Sequence, residues 1–364
     1  MHQKNQRRPI KIAGGGISGL TAAIKLAQAG RTVDVFEKRT SSGARFKGDL
    51  QGLENWTSEE DVLTEMKSQG ITSDFYYKAL PTLQVINGYG MNLHMPFAKP
   101  LCYLVKRGTD HDTLDQALTR QASQLGVNIR YHHPLALEQA DIIATGPSSK
   151  QIFAVDTGIK FKTSHPDTAI ALVNDAAACR GYGYLLIVDG YGCLCTVLFD
   201  RFPSLAESFK QTEKIILKHC PVEMTEVKKV GGIGGFSHGF EFTSGHRLKV
   251  GESAGIQDFL FGFGIRSAMQ SAYLAAHSII HETEYGEQAQ AVFGQNRKAG
   301  IVCRYIYEKA AVFESGYGFL SKLVHGRQDP VRFMRRAYQY TPIHKLLFPL
   351  AKSGMHKRYP NLLT

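Results

Sequence analysis

The chain has 364 residues, 43% of them hydrophobic, and a formal net charge of +11. That length can bury a large core and hold two domains. No apolar run approaches the roughly eighteen residues of a membrane-spanning helix, and the opening MHQKNQRRPIKIAG lacks the apolar stretch of a secretory signal.

Ile10–Ala13 predicts a short buried strand, and the spacing Gly14-x-Gly16-x-x-Gly19 falls at its end. A helix is expected from Ile17 to Ala29, with Leu20, Ala23, Ile24 and Ala27 on one face and Gly30 as its stop. A second strand, Thr32–Phe36, ends in Glu37. These parts sit where a dinucleotide needs them. Gly14 permits the tight turn, Gly16 lets the backbone approach a pyrophosphate, and Gly19 lets helix and strand pack closely. The pyrophosphate would rest on the free amides at the positive end of the helix, among Ile17 and Ser18. Glu37, followed by Lys38, would accept hydrogen bonds from a ribose diol. The motif alone fits NAD and FAD equally.

A polar stretch follows, KRTSSGARFKGDLQGLENW, expected as a loop in contact with ligand. Arg45 stands out in it as a cation for the pyrophosphate or for closing the site. Trp56 reads as packing. Ser58–Gln69 is expected as a helix capped by Thr57 or Ser58, with Glu59, Glu60 and Asp61 in its first turn and Gly70 at its end. Between Leu83 and Val105 the pattern changes to short alternating stretches, which predict antiparallel strands of a second domain. Asp110–Leu125 returns to a helical period, and Val127–Tyr131 and Leu137–Gly146 read as strands. From Ile152 the second sheet resumes and includes YGYLLIVDG and YGCLCTVLF. Cys193 and Cys195 alternate there on one face. The six cysteines show no CxxC pair, so free core thiols in a reducing cytoplasm are expected rather than metal ligation. His94 and the His132–His133 pair have no metal-ligand spacing either, so no metal is expected. Leu205–Lys218 is expected to be helical. Val230–Gly235, VGGIGG, has no strand-then-helix frame and is not read as a second dinucleotide site.

Arg247–Ala276 is the second strong signal. A strand, Leu248–Val250, ends in Gly251 and Glu252; a loop carries Gly255, Gly262 and Gly264; a helix starts near Gly264–Ile265 and offers another anion site at its N-terminus. The remainder, from about Glu282, is expected to be helical. From residue 321 to 364 it is rich in Lys and Arg, with Leu346, Leu347, Phe348 and Leu350 among the bases. Regularly spaced stacking aromatics are not evident, so nucleic acid is not the expected partner. A peripheral contact with anionic membrane fits better, against the competing reading of a solvated basic end.

The pair of motifs, Gly14-x-Gly16-x-x-Gly19…Glu37 and Gly251-Glu252-Ser253-Ala254-Gly255…Gly262-x-Gly264-Ile265, resembles the FAD-dependent oxidoreductases of the para-hydroxybenzoate hydroxylase fold, and within them the geranylgeranyl reductase branch. The likeness spans roughly Lys11 to Ala276. That family's late motif usually reads Gly-Asp-Ala-Ala-Gly; Glu252 keeps a carboxylate for the ribityl chain. Gln257-Asp258-Phe259-Leu260 stand near the place of the family's usual proline. Lys106-Arg107-Gly108 with Leu114-Asp115 resembles an Arg-x-x-Leu-Asp segment, implying that Arg107 meets the cofactor. Asp141–Gly146 resembles the strand whose closing glycine, Gly146, touches FAD. Gly181–Ile187 falls where the reductases carry Tyr-x-Trp-x-Phe-Pro over the substrate, with Tyr184 in the tryptophan's place.

The expected fold is therefore α/β: a Rossmann-like FAD-binding domain (1–75, 106–150 and 246–282), an inserted antiparallel β-sheet substrate domain (76–105 and 151–245), and a helical basic region (283–364). The resemblance implies non-covalent FAD, with NAD(P)H or an electron-donor protein as reductant. It implies hydride transfer at flavin N5 to a small apolar, isoprenoid or lipid-like substrate, with Tyr182 and Tyr184 lining its pocket. The helix at Gly264–Ile265 would stabilise negative charge on the reduced flavin near N1. A flavin monooxygenase using NAD(P)H and oxygen, and a flavin-binding protein without turnover, are the two rival readings. The expected location is cytoplasmic, at the cytoplasmic face of a membrane.

Overall fold

The computed structural model describes residues 8–147, 152–236, 241–311 and 330–359. Its α-helices among these are α1 (Ile17–Gln28), α2 (Val62–Ser68), α3 (Leu114–Gln124), α4 (Leu205–His219), α5 (Ile265–His281), α6 (Tyr285–Ala311), α7 (Pro330–Tyr338) and α8 (Pro342–Arg358).

The apolar strand Ile10–Ala13 takes a central place in a six-stranded sheet. The order is Thr243–Ser244, Arg247–Lys249, Ile142–Ile143, Ile10–Ala13, Val33–Phe36, Asn128–Arg130. All neighbours are parallel except the first pair. Parallel strands need crossovers, and α1 supplies the first of them, burying Leu20, Ala23 and Ile24. α3 and α5 pack beside α1, so one apolar cluster joins the motif at residue 14 to the helix that starts at residue 265.

A seven-stranded sheet forms the second layer, in the order Thr225–Gly235, Ile152–Lys162, Tyr191–Leu198, Tyr182–Val188, Thr168–Leu172, Thr82–Ile86, Asn92–Pro96. It is antiparallel except where Thr82–Ile86 runs parallel to Thr168–Leu172. Period-2 alternation divides its faces. Phe161, Leu185 and Ile187 pack with Ile216 of α4. Ala154, Asp156, Tyr182, Tyr184 and Leu186 point the other way, into a cavity.

The structure differs from expectation in four places. A third sheet, Leu50–Glu54, Cys102–Lys106 and Tyr77–Ala79, takes its first strand from the expected loop and its second from the run Leu83–Val105. Alternation reveals a strand but not its partner, and here the partners lie about fifty residues apart. α2 starts late, at Val62. Asp61 is its N-cap, accepting from the Leu63 amide at 2.9 Å, while Thr57 gives both its amide and its hydroxyl to the Glu54 carboxylate. The expected strand Leu137–Gly146 shrinks to Ile142–Ile143, preceded by a turn of 3₁₀ helix at Leu137–Gln139. Its neighbours offer only two paired residues each. VGGIGG lies inside the strand Thr225–Gly235, where a Cβ on Gly231 would sit 2.7 Å from the Asp156 carbonyl oxygen.

The C-terminal region is helical where described; residues 312–329 and 360–364, with Lys322 and Arg327, lie outside the described residues. Arg304 anchors α6 to both halves of the chain. It is fully buried, and its guanidinium donates to Glu308 (2.8 Å) and to the carbonyls of Leu260 (2.9 Å) and Arg180 (2.7 Å). It also lies 4.0 Å from the Phe199 ring centroid. Arg304→Ala strands two carbonyls and leaves the Glu308 carboxylate to Arg180 and Arg358. A loss of roughly 3–5 kcal/mol is expected, read as a lower urea midpoint at unchanged slope.

Candidate active site

At Gly14 (φ +111°) the chain turns from strand to α1. A Cβ at Gly14 would strike the Ala144 carbonyl oxygen, and one at Gly19 would strike the Gly14 carbonyl oxygen. Strand, helix and neighbouring strand therefore meet backbone to backbone. Gly16 is the N-cap of α1, with no side chain capping the helix and nothing within 4 Å of where its Cβ would stand. The first amides of α1 thus open on free space.

That space is a single cavity of about 1310 Å³. Gly14, Gly16, Ile17, Ser18, Glu37 and Lys38 line it from the first βαβ unit. Arg45, Arg107, Gly146 and Glu252 line it, as do Gly262, Gly264 and Ile265. Tyr182 and Tyr184 line it from the seven-stranded sheet. Gly19 and Gly251 do not. Both are packing positions: the Cβ site of Gly251 (φ +61°) lies 2.8 Å from Ser18 Oγ.

The charged residues are mostly engaged with one another. Glu37 accepts from the amides of Gly15 and Arg39, each at 2.8 Å, which fixes the carboxylate and leaves each oxygen a further lone pair. Arg107 forks onto the buried Asp115 (2.8 and 3.0 Å), donates to Gln51 (2.9 Å) and lies 4.0 Å from the Phe46 ring centroid. It is a strut of the wall whose partner is the aspartate singled out in the sequence. Arg45 reaches Glu252 at 2.9 Å and also donates to the Ile233 carbonyl. Gly146 sits beside this pair, its Cβ site 3.8 Å from Arg45 Nη1 and 3.9 Å from Glu252 Oε2. Three segments distant in sequence thus meet at one ion pair.

Ahead of α5 the wall is a closed turn. Asp258 accepts from the amides of Leu260 (3.0 Å) and Phe261 (2.7 Å), and Gln257 Nε2 donates to the Gly262 carbonyl at 2.6 Å. These contacts hold the loop that Gln257-Asp258-Phe259-Leu260 form. Gly264 is the N-cap of α5, again without a side-chain cap.

Tyr182 donates to the Phe261 carbonyl at 2.7 Å, and the rings of Tyr182 and Tyr184 lie 6.2 Å apart. Burial raises both phenols well above their ordinary value, so they stay neutral. Cys193 and Cys195 share a buried face, and burial pushes the Cys193 thiol up to about 12. Asp156 was not anticipated. Cross-strand register sets Gly232, Asp156, Val197 and Tyr182 in one row, all four lining the cavity. Burial, with Asp49 nearby, pushes the Asp156 carboxyl up to about 6, against Arg45 and the Gly232 amide. The available signal was one aspartate on the face of a strand that its neighbours share with Tyr182 and Tyr184. Met334, Ala337 and Cys303 of α7 and α6 also line the cavity.

Residues 12–49 match the NAD(P)-binding Rossmann-like domain family. No curated protein sequence matches the chain. Among solved structures it is similar to a geranylgeranyl bacteriochlorophyll reductase-like protein from Thermoplasma acidophilum: TM-score 0.68, 15% identity, covering 94% of this chain and 98% of that one. It is similar to a flavin-dependent brominase, with TM-score 0.66, 13% identity and coverage of 96% and 99%. It is also similar to 2-methyl-3-hydroxypyridine-5-carboxylic acid oxygenase, with TM-score 0.56, 19% identity and coverage of 92% and 97%. The fold expected from the two motifs is therefore the fold present, and the likeness extends into the C-terminal helices.

The Asp156 carboxyl gives a pH prediction. Its folded value, about 6, lies above the value near 4 of an unfolded chain. Between these the folded state binds more protons, so this stabilising contribution is complete below about pH 4 and lost as pH rises through 6. Asp156→Asn should therefore gain on the native protein between pH 4 and 7, by up to about 2–3 kcal/mol. Urea unfolding of both proteins across that range measures it.

Proposed function

We propose that this protein is an FAD-dependent oxidoreductase that transfers hydride to an apolar, isoprenoid or lipid-like substrate. The observation that carries the reading is that one cavity joins the uncapped N-terminus of α1 to the apolar face of the seven-stranded sheet, where Leu83, Val85, Leu93 and Met95 stand. At about 1310 Å³ it exceeds the roughly 300–1,000 Å³ of an ordinary ligand site. It has room for a dinucleotide and a second molecule.

The residues present fit FAD. Gly16 leaves the cradle that a side chain would fill, and the α1 amides take the pyrophosphate. The oriented Glu37 carboxylate takes the ribose diol. Arg45 and Glu252, beside Gly146, offer a cation and an acceptor to the pyrophosphate and the ribityl chain. When bound, FAD supplies hydride exchange at N5. The uncapped start of α5 at Gly264–Ile265 favours negative charge on the reduced ring by its dipole and amides. Apolar walls exclude water and hold the substrate, with Tyr182 and Tyr184 as neutral aromatic lining.

One substitution separates binding from folding. Gly16→Asp meets no neighbour and supplies a good helix cap, so the melting temperature should hold or rise. A carboxylate in the pyrophosphate cradle should weaken FAD binding by about 10²-fold or more. The reaction class is tested by anaerobic addition of NADPH to the FAD-loaded protein, then air. Slow bleaching and reoxidation without product fits a reductase fed by another donor. Fast bleaching only with substrate, and oxygen consumed in proportion to product, makes it a monooxygenase. Flavin that no donor reduces makes it a binding protein.

The substrate's apolar character also suggests a place for the basic end. On α8, Leu347, Phe348, Ala351 and Met355 pack inward, while Ile343, Leu346 and Leu350 are exposed, with Leu346 at 80%. Their i, i+3, i+7 spacing makes a stripe, and Lys345, Lys352 and Lys357 stand exposed along it. Among the described residues no helix is long and apolar enough to cross a membrane. We propose that α8 lies on an anionic bilayer surface. The protein should co-sediment with vesicles containing phosphatidylserine and not with phosphatidylcholine alone. Leu346→Asp with Leu350→Asp should abolish it; retention in that variant would overturn the assignment.

A further inference from the structure

Among the described residues five carboxylates line the cavity, and four are held by a cation, a side-chain amide or a pair of backbone amides. Glu37 holds two backbone amides, Asp115 the Arg107 fork, Glu252 the Arg45 guanidinium, and Asp49 the Gln51 amide at 2.7 Å. Asp156 is the fifth, held by a single backbone amide, that of Gly232. Among the described residues no cation lies within ion-pair distance of it. Its flank is open because Gly232 stands beside it; a Cβ there would sit 3.1 Å from Asp156 Oδ1. It shares its row with Tyr182, on the face that carries the apolar lining.

The groups that face it explain why its proton is held. Arg45 approaches from the loop after the second strand, but its charge is shared with Glu252. Asp49, four residues on, opposes ionisation. From the adjoining strand comes Cys195, and from the one beyond it Tyr182 and Tyr184, all neutral. On its own strand Lys160 lies 5.7 Å from the Tyr191 ring centroid, next to Gly48.

We propose that Asp156 is the general acid of this cavity, donating the proton that completes reduction of a polarised carbon–carbon double bond. The inference rests on the flavin reading above. With a reduced flavin bound as hydride donor, one alkene carbon would gain a C–H bond. The π pair moves to the adjacent carbon and takes the proton from the Asp156 carboxyl. The alkene would gain two electrons and two hydrogens, the hydride accounting for both electrons, and the Asp156 carboxylate would regain its proton from water. The two tyrosines are poorer donors: burial holds their protons far more tightly, and that of Tyr182 is committed to the Phe261 carbonyl. A carboxyl with a value of about 6 releases its proton far more readily than either phenol.

The test uses two measurements on the native protein and on Asp156→Asn. The first is an infrared pH titration of the ligand-free proteins. A carboxyl band with a midpoint near pH 6 is expected in the native protein and absent from the variant. The second is anaerobic reoxidation of the FAD-loaded, dithionite-reduced protein by farnesal, an α,β-unsaturated isoprenoid aldehyde. The native rate should fall as pH rises through about 6, and the variant should be about 10²-fold slower at low pH with a flat profile. An unchanged rate in the variant, or an infrared band that survives the substitution, overturns the assignment of Asp156 alone. A native protein that binds FAD but is not reoxidised by farnesal overturns the reductase reading, and the acid role with it.

Discussion

The architecture depends on a steric constraint: at Gly14, Gly19 and Ala144 three backbones touch with no side chain between them. A Cβ at either glycine would collide with a carbonyl oxygen. The cost would fall on the central strand, on α1 and on the strand Ile142–Ile143 together, because all three share that contact. The same closeness brings the first turn of α1 to the sheet edge with its amides unsatisfied by any side chain. Helix ends normally find partners. An uncapped end facing a large cavity is a feature that a bound anion explains.

Around that end the site is assembled from remote pieces. The Arg45–Glu252 pair joins positions 207 residues apart, and Gly146 lies against it. Arg107, just after the strand Cys102–Lys106, and Asp115 of α3 brace the wall. Arg304 ties α6 to the loop ahead of α5 and to the turn that leads into the strand Tyr182–Val188. The cavity is therefore a junction rather than a pocket within one layer. That suits chemistry in which one sheet fixes a cofactor and another presents a substrate.

What could be read from the sequence follows from the range of each interaction. The glycine turn, α1, the strand after it and the start of α5 are local, and glycine spacing with helical period placed them to within a residue or two. The third sheet was hidden because Leu50–Glu54 finds Cys102–Lys106 only in three dimensions. The late start of α2 was hidden because Thr57 is turned to Glu54, which takes its amide and its hydroxyl, and the cap falls to Asp61. Asp156 carries no motif; only the register Gly232–Asp156–Val197–Tyr182 makes it a cavity residue. On α8 the sequence named Leu346, Leu347, Phe348 and Leu350 together, and the structure divides them between the core and the surface.

The central claim is that this cavity holds FAD. Its most direct test is a titration of ligand-free protein with FAD, followed by quenching of flavin fluorescence. Saturable binding of one FAD per chain, undisturbed by NAD or NADP at equal concentration, is expected. No saturable binding, or FAD displaced by NAD at equal concentration, would contradict it.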